Sequence, residues 1–99
     1  MNKLQLLLGK LTEECCEVGQ SALKTSQFGL DGTIPGTNLT NRDRLNAELN
    51  DVIAVIEMLN EEFQLQYSYD INEIRAKKEK ITKYALISED LGFVEWTNS

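Results

Sequence analysis

Two pairs of acidic residues have the side chains and the spacing needed to hold a cation. Glu14 and Glu17 lie three residues apart in the stretch LTEECCEVGQ, and Glu48 and Asp51 repeat this spacing in LNAELNDVIAVIEML. Residues three apart are neighbours on the surface of an α-helix. If both stretches are helical, each pair presents its carboxylates as one patch, and the packing of the two helices decides whether the patches meet.

Apolar residues recur at helical spacing around both pairs, which predicts two amphipathic helices. The first is predicted at about residues 2–26, with an apolar stripe of Leu4, Leu7, Leu8, Leu11, Cys15, Val18 and Ala22. The second is predicted at about residues 41–65, with a stripe of Leu45, Leu49, Val52, Ile56, Leu59 and Phe63. A third helix is predicted at about residues 70–87, with inward-facing Ile71, Ile74, Ile81 and Ala85.

The segment between the first two helices is predicted to be an extended loop at residues 27–40. FGLDGTIPGTNLTN contains three glycines and the only proline of the chain, and these residues favour turns. Thr40 or Asn41 can cap the helix that follows. No segment alternates with a period of two for long enough to form a strand. We therefore predict an all-α fold, with one domain over residues 1–99 whose helices form an antiparallel bundle.

Both acidic pairs lie beside an apolar stripe. At 100° per residue, Glu14 lies about 20 to 60° from its neighbours in the first stripe, and Glu48 lies about 40° from Val52. If the helices pack along their stripes, all four carboxylates converge. Like charges this close repel and favour proton uptake, whereas a divalent cation that prefers oxygen ligands, Mg²⁺ or Mn²⁺, relieves the repulsion. Since Mg²⁺ recruits phosphate groups, the pattern indicates a phosphate ester or anhydride substrate. The alternative is two solvated pairs.

The composition limits the possible functions. A net charge of −6 argues against nucleic-acid binding, and the absence of histidine excludes His-ligated zinc and His-dependent triads. No apolar run is long enough to span a membrane and no signal peptide is recognisable, so a cytoplasmic location is expected. A domain of 99 residues buries a modest share of its surface, so a second copy is expected to complete the core. Cys15 and Cys16 are expected to be small buried apolar residues.

The two acidic motifs together resemble the signature of a known family. EECCE and ELND match the E-x-x-E and E-x-x-D elements of the all-α nucleoside triphosphate pyrophosphohydrolases, the MazG-like group. ALKTSQFGLDG and TNRDRLNAELNDVIAVIE resemble the small single-domain members from phages and bacteria. The likeness covers roughly residues 6–92. The separation between the motifs, residues 18–47, is longer than usual for the family, which agrees with an extended loop.

The resemblance implies a hydrolase that cleaves a (d)NTP between its α and β phosphates to give a (d)NMP and pyrophosphate. It implies Mg²⁺, with Mn²⁺ as a possible substitute, held by Glu14, Glu17, Glu48 and Asp51. It also implies a homodimer or homotetramer whose subunits share the bundle, in the host cytoplasm if the protein is phage-encoded. Glu14 lies nearest the stripe, so burial is expected to raise its pKa, and it is assigned a second role as catalytic base.

Basic residues predict where the phosphates bind. Residues 75–84 carry five Lys or Arg against one Glu, and the resemblance supports phosphate binding by Arg75, Lys77 and Lys78. Lys78 continues the inward-facing series of the third helix and is the leading candidate. Lys24 on the first helix is a further one. The alternative is that these are solvated charges in helical ion pairs.

Candidates for binding the base are Phe28, which can stack, and Asn46, which can donate or accept a hydrogen bond. Aromatic residues more often fill a core, and that alternative stays open. Two other functions also stay open: a catalytically silent helical dimer that binds a nucleotide or a partner protein, and a helical adaptor whose acids are solvated. Canonical, pyrimidine and modified nucleotides all fit the pattern.

Overall fold

All three predicted helices are present in the computed structural model, which describes residues 1–99. They are α1 (Lys3–Phe28), α2 (Asn41–Phe63) and α3 (Ile71–Asp90), and the chain contains no strand. The prediction of an all-α fold is therefore confirmed. None of the helices combines the length and the apolar character needed to cross a bilayer.

The chain divides into two compact units. Met1–Tyr67 contains α1 and α2, and Ser68–Ser99 contains α3 and the C-terminal tail. Both acidic pairs belong to the first unit, together with the α1–α2 loop (residues 29–40), so the first unit holds the candidate site.

Capping boxes fix the first residues of α1 and α2. The Asn2 side chain accepts a hydrogen bond from the Gln5 backbone N–H, and the Gln5 side chain accepts one from the Asn2 N–H. Thr40 and Asp43 make the same reciprocal pair at 3.1 and 3.0 Å. These bonds satisfy backbone donors that have no partner inside the helix. Thr40, one of the two predicted candidates, is the N-cap.

The helices α1 and α2 form an antiparallel hairpin that is tied at both ends. At the open end, the Lys3 ammonium group pairs with the Glu62 carboxylate. At the loop end, Asn41 Nδ2 donates a 2.9 Å hydrogen bond to the Gly29 carbonyl. Because the start of α1 meets the end of α2, residues early in α1 face residues late in α2.

The two helices meet along a seam whose residues alternate at spacings of four and three. All of its members are buried or half-buried: Leu7, Leu11, Glu14, Val18, Ser21 and Thr25 on α1, and Asn41, Leu45, Glu48, Val52, Val55 and Leu59 on α2. Only Leu7, Val55 and Leu59 form a buried apolar core. Glu14 and Glu48 occupy the seam itself, whereas the sequence places them at the edge of a stripe.

Three residues of the predicted apolar stripes, together with Ile53, form a second, exposed surface. Leu4 and Leu8 on α1 and Leu49 and Ile53 on α2 are all exposed. At 100° per residue they lie about 60 to 120° from the middle of the seam in the same rotational sense on both helices, so they share one side of the hairpin. We call this side the reverse face.

The expectation of buried cysteines is wrong, because Cys15 and Cys16 are both exposed. Cys15 lies at the angle of the reverse face, and Cys16 points away from the seam. A single partner helix covers only part of the wide apolar surface of α1, and the cysteines fall outside that part.

The α1–α2 loop is held by its own backbone hydrogen bonds. Ile34 N–H donates to the Leu39 carbonyl at 2.9 Å, and Asn41 N–H donates to the Gly32 carbonyl at 2.9 Å. Gly32 lies so close to α1 that an added Cβ would come within 2.5 Å of the Phe28 carbonyl oxygen. The loop is therefore a fixed structure that requires glycine at this contact.

The second unit is a single helix with a folded tail. α3 buries none of its residues, and Ile71 and Ile81, predicted to face inward, are exposed. The Glu89 carboxylate accepts hydrogen bonds from the Thr97 hydroxyl and from the Trp96 and Thr97 backbone N–H groups at 2.6 to 2.7 Å. The Thr97 hydroxyl bond, followed by the backbone bonds, lowers the pKa of Glu89, so ionised Glu89 anchors the tail.

The seam predicts a large stability effect at its most buried position. Leu59 is 1% exposed, so Leu59→Ala is expected to reduce the free energy of unfolding by about 2–5 kcal/mol through lost burial and a residual cavity. Leu23→Ala on α1, where the side chain is 70% exposed, is the control and is expected to change it by less than about 0.5 kcal/mol. Urea denaturation followed by circular dichroism measures the free energy of unfolding of both variants. Equal effects of the two substitutions would contradict the burial of Leu59 in the seam.

Candidate metal centre

The four carboxylates of the two acidic motifs lie together. Glu14, Glu17, Glu48 and Asp51 each offer one oxygen atom, and these four oxygens all lie within 4.8 Å of one another. Glu14 and Glu48 are half-buried in the seam, while Glu17 and Asp51 are exposed. Each exposed acid is rotated about 60° out of the seam from its partner, to the same side of the hairpin. That side is opposite to the reverse face.

Two of the carboxyl oxygens have no hydrogen-bond partner. Glu14 Oε2 and Glu48 Oε2 are buried and receive no hydrogen bond from any donor in the chain. A buried polar atom is ordinarily paired, and leaving one unpaired costs folding free energy. Acidic clusters on helix surfaces are common without a metal, but they remain hydrated. Unpaired oxygens inside the seam distinguish this cluster and fit a cation that both can bind.

The environment of the centre favours the protonated form of both seam glutamates. Burial, followed by a hydrogen bond and charge repulsion from Glu17, raises the pKa of Glu14. The same causes in the same order raise the pKa of Glu48, and the positive charge of Arg44 partly offsets them. The cluster is therefore destabilised when fully ionised, unless a positive charge is supplied.

The chemistry of the donors selects the kind of cation. All four are carboxylates, and the cysteines nearest in sequence, Cys15 and Cys16, are exposed outside the cluster. Hard divalent ions that prefer oxygen, Mg²⁺ and Mn²⁺, suit such a set, whereas zinc and copper favour nitrogen and sulfur. The residues present thus fit the cation expected from the sequence.

A polar cavity adjoins the carboxylates. It has a volume of about 310 Å³ and is lined by Glu17, Gln20, Ser21, Lys24, Arg44 and Glu48. Ser21 is 4% exposed, and its Oγ has no hydrogen-bond partner. Lys24 and Arg44 belong to none of the three ion pairs of the chain, which are Lys3–Glu62, Lys10–Glu13 and Arg42–Asp31. The polar cavity therefore offers two unpaired cations and a free hydroxyl beside two of the acids.

A second cavity lies between the α1–α2 loop and the adjoining helix ends. It has a volume of about 560 Å³ and is lined by Lys24, Phe28, Gly32, Thr33, Ile34, Pro35, Asn41 and Arg44. We call it the apolar cavity, because Phe28, Ile34 and Pro35 form much of its wall. It shares Lys24 and Arg44 with the polar cavity, so the two cavities adjoin at these side chains.

The other predicted site residues fall in different places. Lys24 lines both cavities and Phe28 lines the apolar one. Asn46 lines neither, and its Nδ2 donates to the Arg42 carbonyl one turn earlier.

The predicted phosphate-binding residues Arg75, Lys77 and Lys78 are exposed on α3 in the second unit. Lys78 lines an open groove there together with Thr82 and Leu86. A role for these three residues in phosphate binding stays a prediction.

Ser21 and Arg44 are residues that the sequence analysis did not identify. Ser21 continues the seam three residues after Val18, so a polar residue at an apolar position was the available signal. Arg44 precedes Glu48 by four residues, and a cation one turn from a predicted metal-binding acid is its signal. Both residues are recognisable as part of a site only when α1 and α2 are packed together, because they line the same cavity from opposite helices.

Comparison with protein-family models, with curated proteins and with solved structures finds no match for this chain. The resemblance to the MazG-like group therefore rests on the motifs alone.

The raised pKa of Glu48 predicts how its removal changes stability. Ionisation of a group with a raised folded-state pKa disfavours the folded state, so its contribution to stability is present at low pH and is lost as the pH rises through that pKa. In buffer with a chelator, Glu48→Gln is therefore expected to be more stable than the wild type at pH 7. The difference is expected to vanish below about pH 4, where glutamate is protonated in both states. Thermal denaturation as a function of pH measures it.

Added Mg²⁺ is expected to reverse this order, because binding to the native state stabilises the wild type while Glu48→Gln lacks one ligand. Glu57→Gln, an exposed acid on the same helix, is the matched control and is expected to behave as the wild type does. A wild-type protein that Mg²⁺ does not stabilise, with Mn²⁺ equally without effect, would contradict the metal centre.

Proposed function

We propose that the protein is a Mg²⁺-dependent nucleoside triphosphate pyrophosphohydrolase, which cleaves a (d)NTP to a (d)NMP and pyrophosphate. One observation carries the proposal: a four-carboxylate cluster with two unpaired buried oxygens adjoins a cavity with two unpaired cations. A cluster of acids beside free basic groups suits a phosphate chain that is bound partly through a divalent ion. The resemblance of the acidic motifs to the MazG-like signature supports the choice of scissile bond.

In this proposal Glu14, Glu17, Glu48 and Asp51 hold Mg²⁺, with Mn²⁺ as a substitute. The bound ion would neutralise charge on the triphosphate and lower the pKa of a coordinated water. Two of the four acids, Glu17 and Glu48, line the polar cavity, so an ion held by the cluster would be within reach of a substrate there.

The polar cavity supplies the groups that bind phosphate oxygens. The Arg44 guanidinium and the Lys24 ammonium are unpaired donors, and charge-assisted hydrogen bonds from such groups to phosphate are strong. The Ser21 hydroxyl, buried without a partner, donates to one further phosphate oxygen. Binding of the substrate thus satisfies a hydroxyl that has no partner in the protein alone.

The reaction adds water across the α–β phosphoanhydride bond. The oxygen of water forms a bond to phosphorus as the bridging bond breaks, and pyrophosphate leaves with the electron pair of that bond. A seam carboxylate accepts the water proton. The sequence assigns this role to Glu14, but Glu14 and Glu48 are both half-buried and both have a raised pKa, so both qualify as the base.

We further propose that the reverse face packs against a second copy of the chain. Only three residues form the buried apolar core, which is small for a domain of this length. Four large apolar residues, Leu4, Leu8, Leu49 and Ile53, lie exposed on one side of the hairpin. A contiguous apolar surface of this kind is typical of an interface, and packing there leaves the polar cavity on the opposite side accessible.

Self-association predicts that a charge on the reverse face dissociates the protein. Ile53→Glu is expected to reduce the molar mass measured by light scattering during size-exclusion chromatography to that of a monomer. Leu23→Glu, on α1 but outside the reverse face, is the control and is expected to leave the mass unchanged. A monomeric wild type at micromolar concentration would contradict this assembly.

Turnover tests the enzymatic proposal directly. Each common NTP and dNTP is incubated with the protein, with and without Mg²⁺, and the products are separated by anion-exchange chromatography. The expected products are the monophosphate and pyrophosphate, and only with metal. Arg44→Ala is expected to lower kcat/KM roughly 10- to 100-fold, because it removes charged hydrogen bonds to phosphate. Arg42→Ala, which loses an exposed ion pair with Asp31, is the control and is expected to retain activity.

Other outcomes would separate the alternatives. Release of a nucleoside diphosphate and inorganic phosphate would mean that the protein cleaves the β–γ bond and that the proposed scissile bond is wrong. Metal-dependent nucleotide binding without turnover would support the catalytically silent dimer instead. Full activity in Glu48→Gln would contradict the assignment of the metal centre.

A further inference from the structure

We infer that the apolar cavity binds the base of the nucleotide whose phosphates occupy the polar cavity. This inference rests on the proposed function, because it takes a nucleotide as the ligand. The structural basis is that the two cavities adjoin: Lys24 and Arg44 line both of them. A ligand held at its phosphates by these two cations has its remaining part within reach of the apolar walls.

The order of groups along the hairpin matches the order of groups along a nucleotide. From Glu14 to Ser21 the α1 backbone rises about 10 Å, and from Glu14 to Phe28 about 21 Å. On the antiparallel helix, Glu48, Arg44 and Asn41 follow in the same direction. Carboxylates, then cations with a hydroxyl, then an aromatic and aliphatic wall thus succeed one another toward the loop. The metal, the phosphates and the base can occupy them in that sequence.

The walls of the apolar cavity suit a planar aromatic group. Phe28 is 70% exposed, so most of its ring is available for stacking, while Ile34 and Pro35 supply an apolar surface from the loop. Aromatic side chains bind bases chiefly by stacking, which tolerates any base because every base has a π-face. Polar side chains other than the two cations are few: Thr33 is one, and the Asn41 amide nitrogen already donates to Gly29. Recognition of base edges is therefore limited, and stacking with apolar burial provides the affinity.

The cavity is formed before any ligand arrives. Backbone hydrogen bonds close the α1–α2 loop on itself, and Asn41 ties it to the end of α1. Gly32 makes the close contact with α1 that leaves no room for a side chain. Since little ordering is required on binding, little binding free energy is lost to it. This rigidity favours a small ligand over a flexible polypeptide segment as the occupant.

The inference is tested by comparing a ligand that has a base with one that lacks it. Isothermal titration calorimetry in Mg²⁺ measures the Kd of a non-hydrolysable α,β-methylene nucleoside triphosphate and of inorganic tripolyphosphate. Phe28→Ala and Ile34→Ala are expected to raise the Kd of the nucleotide about tenfold and to leave that of tripolyphosphate unchanged. The matched controls are Leu23→Ala, which is also 70% exposed on α1, and Leu39→Ala on the loop. Both lie outside the cavity and are expected to change neither value.

Each outcome bears on either the inference or the proposed function. An unchanged nucleotide Kd in both cavity variants, or equal wild-type affinities for the nucleotide and tripolyphosphate, would overturn the inference while the phosphate site stands. Cavity-dependent binding without turnover would support the inference and overturn hydrolysis. Binding of neither ligand by the wild type would overturn both. Circular dichroism checks folding, and the exposed Phe28 ring makes Phe28→Ala the decisive variant if Ile34→Ala unfolds.

Discussion

The unpaired carboxyl oxygens of Glu14 and Glu48 in the seam between α1 and α2 constrain the rest of the first unit. Helices ordinarily pack through apolar side chains, and here two acids occupy the middle of the contact. Their repulsion tends to separate the helices at that point. The hairpin is held instead at its two ends: by Leu7, Val55 and Leu59 toward the open end, and by the hydrogen bond from Asn41 to Gly29 at the loop end.

This arrangement divides the hairpin into two sides with different properties. One side carries the exposed acids, Lys24, Arg44 and both cavities. The other side carries the exposed apolar residues of the reverse face, with the exposed Cys15 at the same angle on α1. The two sides are separated because their residues are rotated by about 60° or more from the middle of the seam in opposite senses. The exposed acids, Lys24 and Arg44 therefore lie away from the surface that we assign to self-association, and an interface there does not block access to the acids.

Much of the local structure follows from the sequence because its causes are local. The helices begin where Asn2 and Thr40 can cap them, and Thr40 with Asp43 forms the capping box that its spacing allows. The rotational position of the contact is harder to predict. The apolar surface of α2 is wider than one helix covers, so Leu49, which belongs to the predicted stripe, is exposed, while Val55, which lies outside that stripe, is buried. The exposed cysteines on α1 have the same cause.

The acidic cluster is predictable because each motif repeats the same spacing on its own helix, and packing along the seam superimposes the two. The cations beside the acidic cluster are harder to predict from the sequence. The role of Arg44 depends on Lys24 and Ser21 of the opposite helix, which are 20 and 23 residues away in the sequence. Which side chains meet across the two helices depends on the register in which the helices pack, and the spacing within each helix does not give that register.

The length of the α1–α2 loop has a physical consequence for how the site is organised. Helices in a hairpin are commonly joined by about 2–8 residues, and this loop, residues 29–40, is longer than closure of the hairpin requires. Lengthening a loop adds only slowly to the entropic cost of closure, and backbone hydrogen bonds offset part of that cost here. The additional residues lie beyond Asn41 and Gly29, where the seam ends, so they leave the register of Glu14 against Glu48 undisturbed. Changes at Ile34 or Pro35 can thus alter the cavity wall without moving the carboxylates, which separates the proposed recognition of the ligand from the geometry of the candidate metal centre.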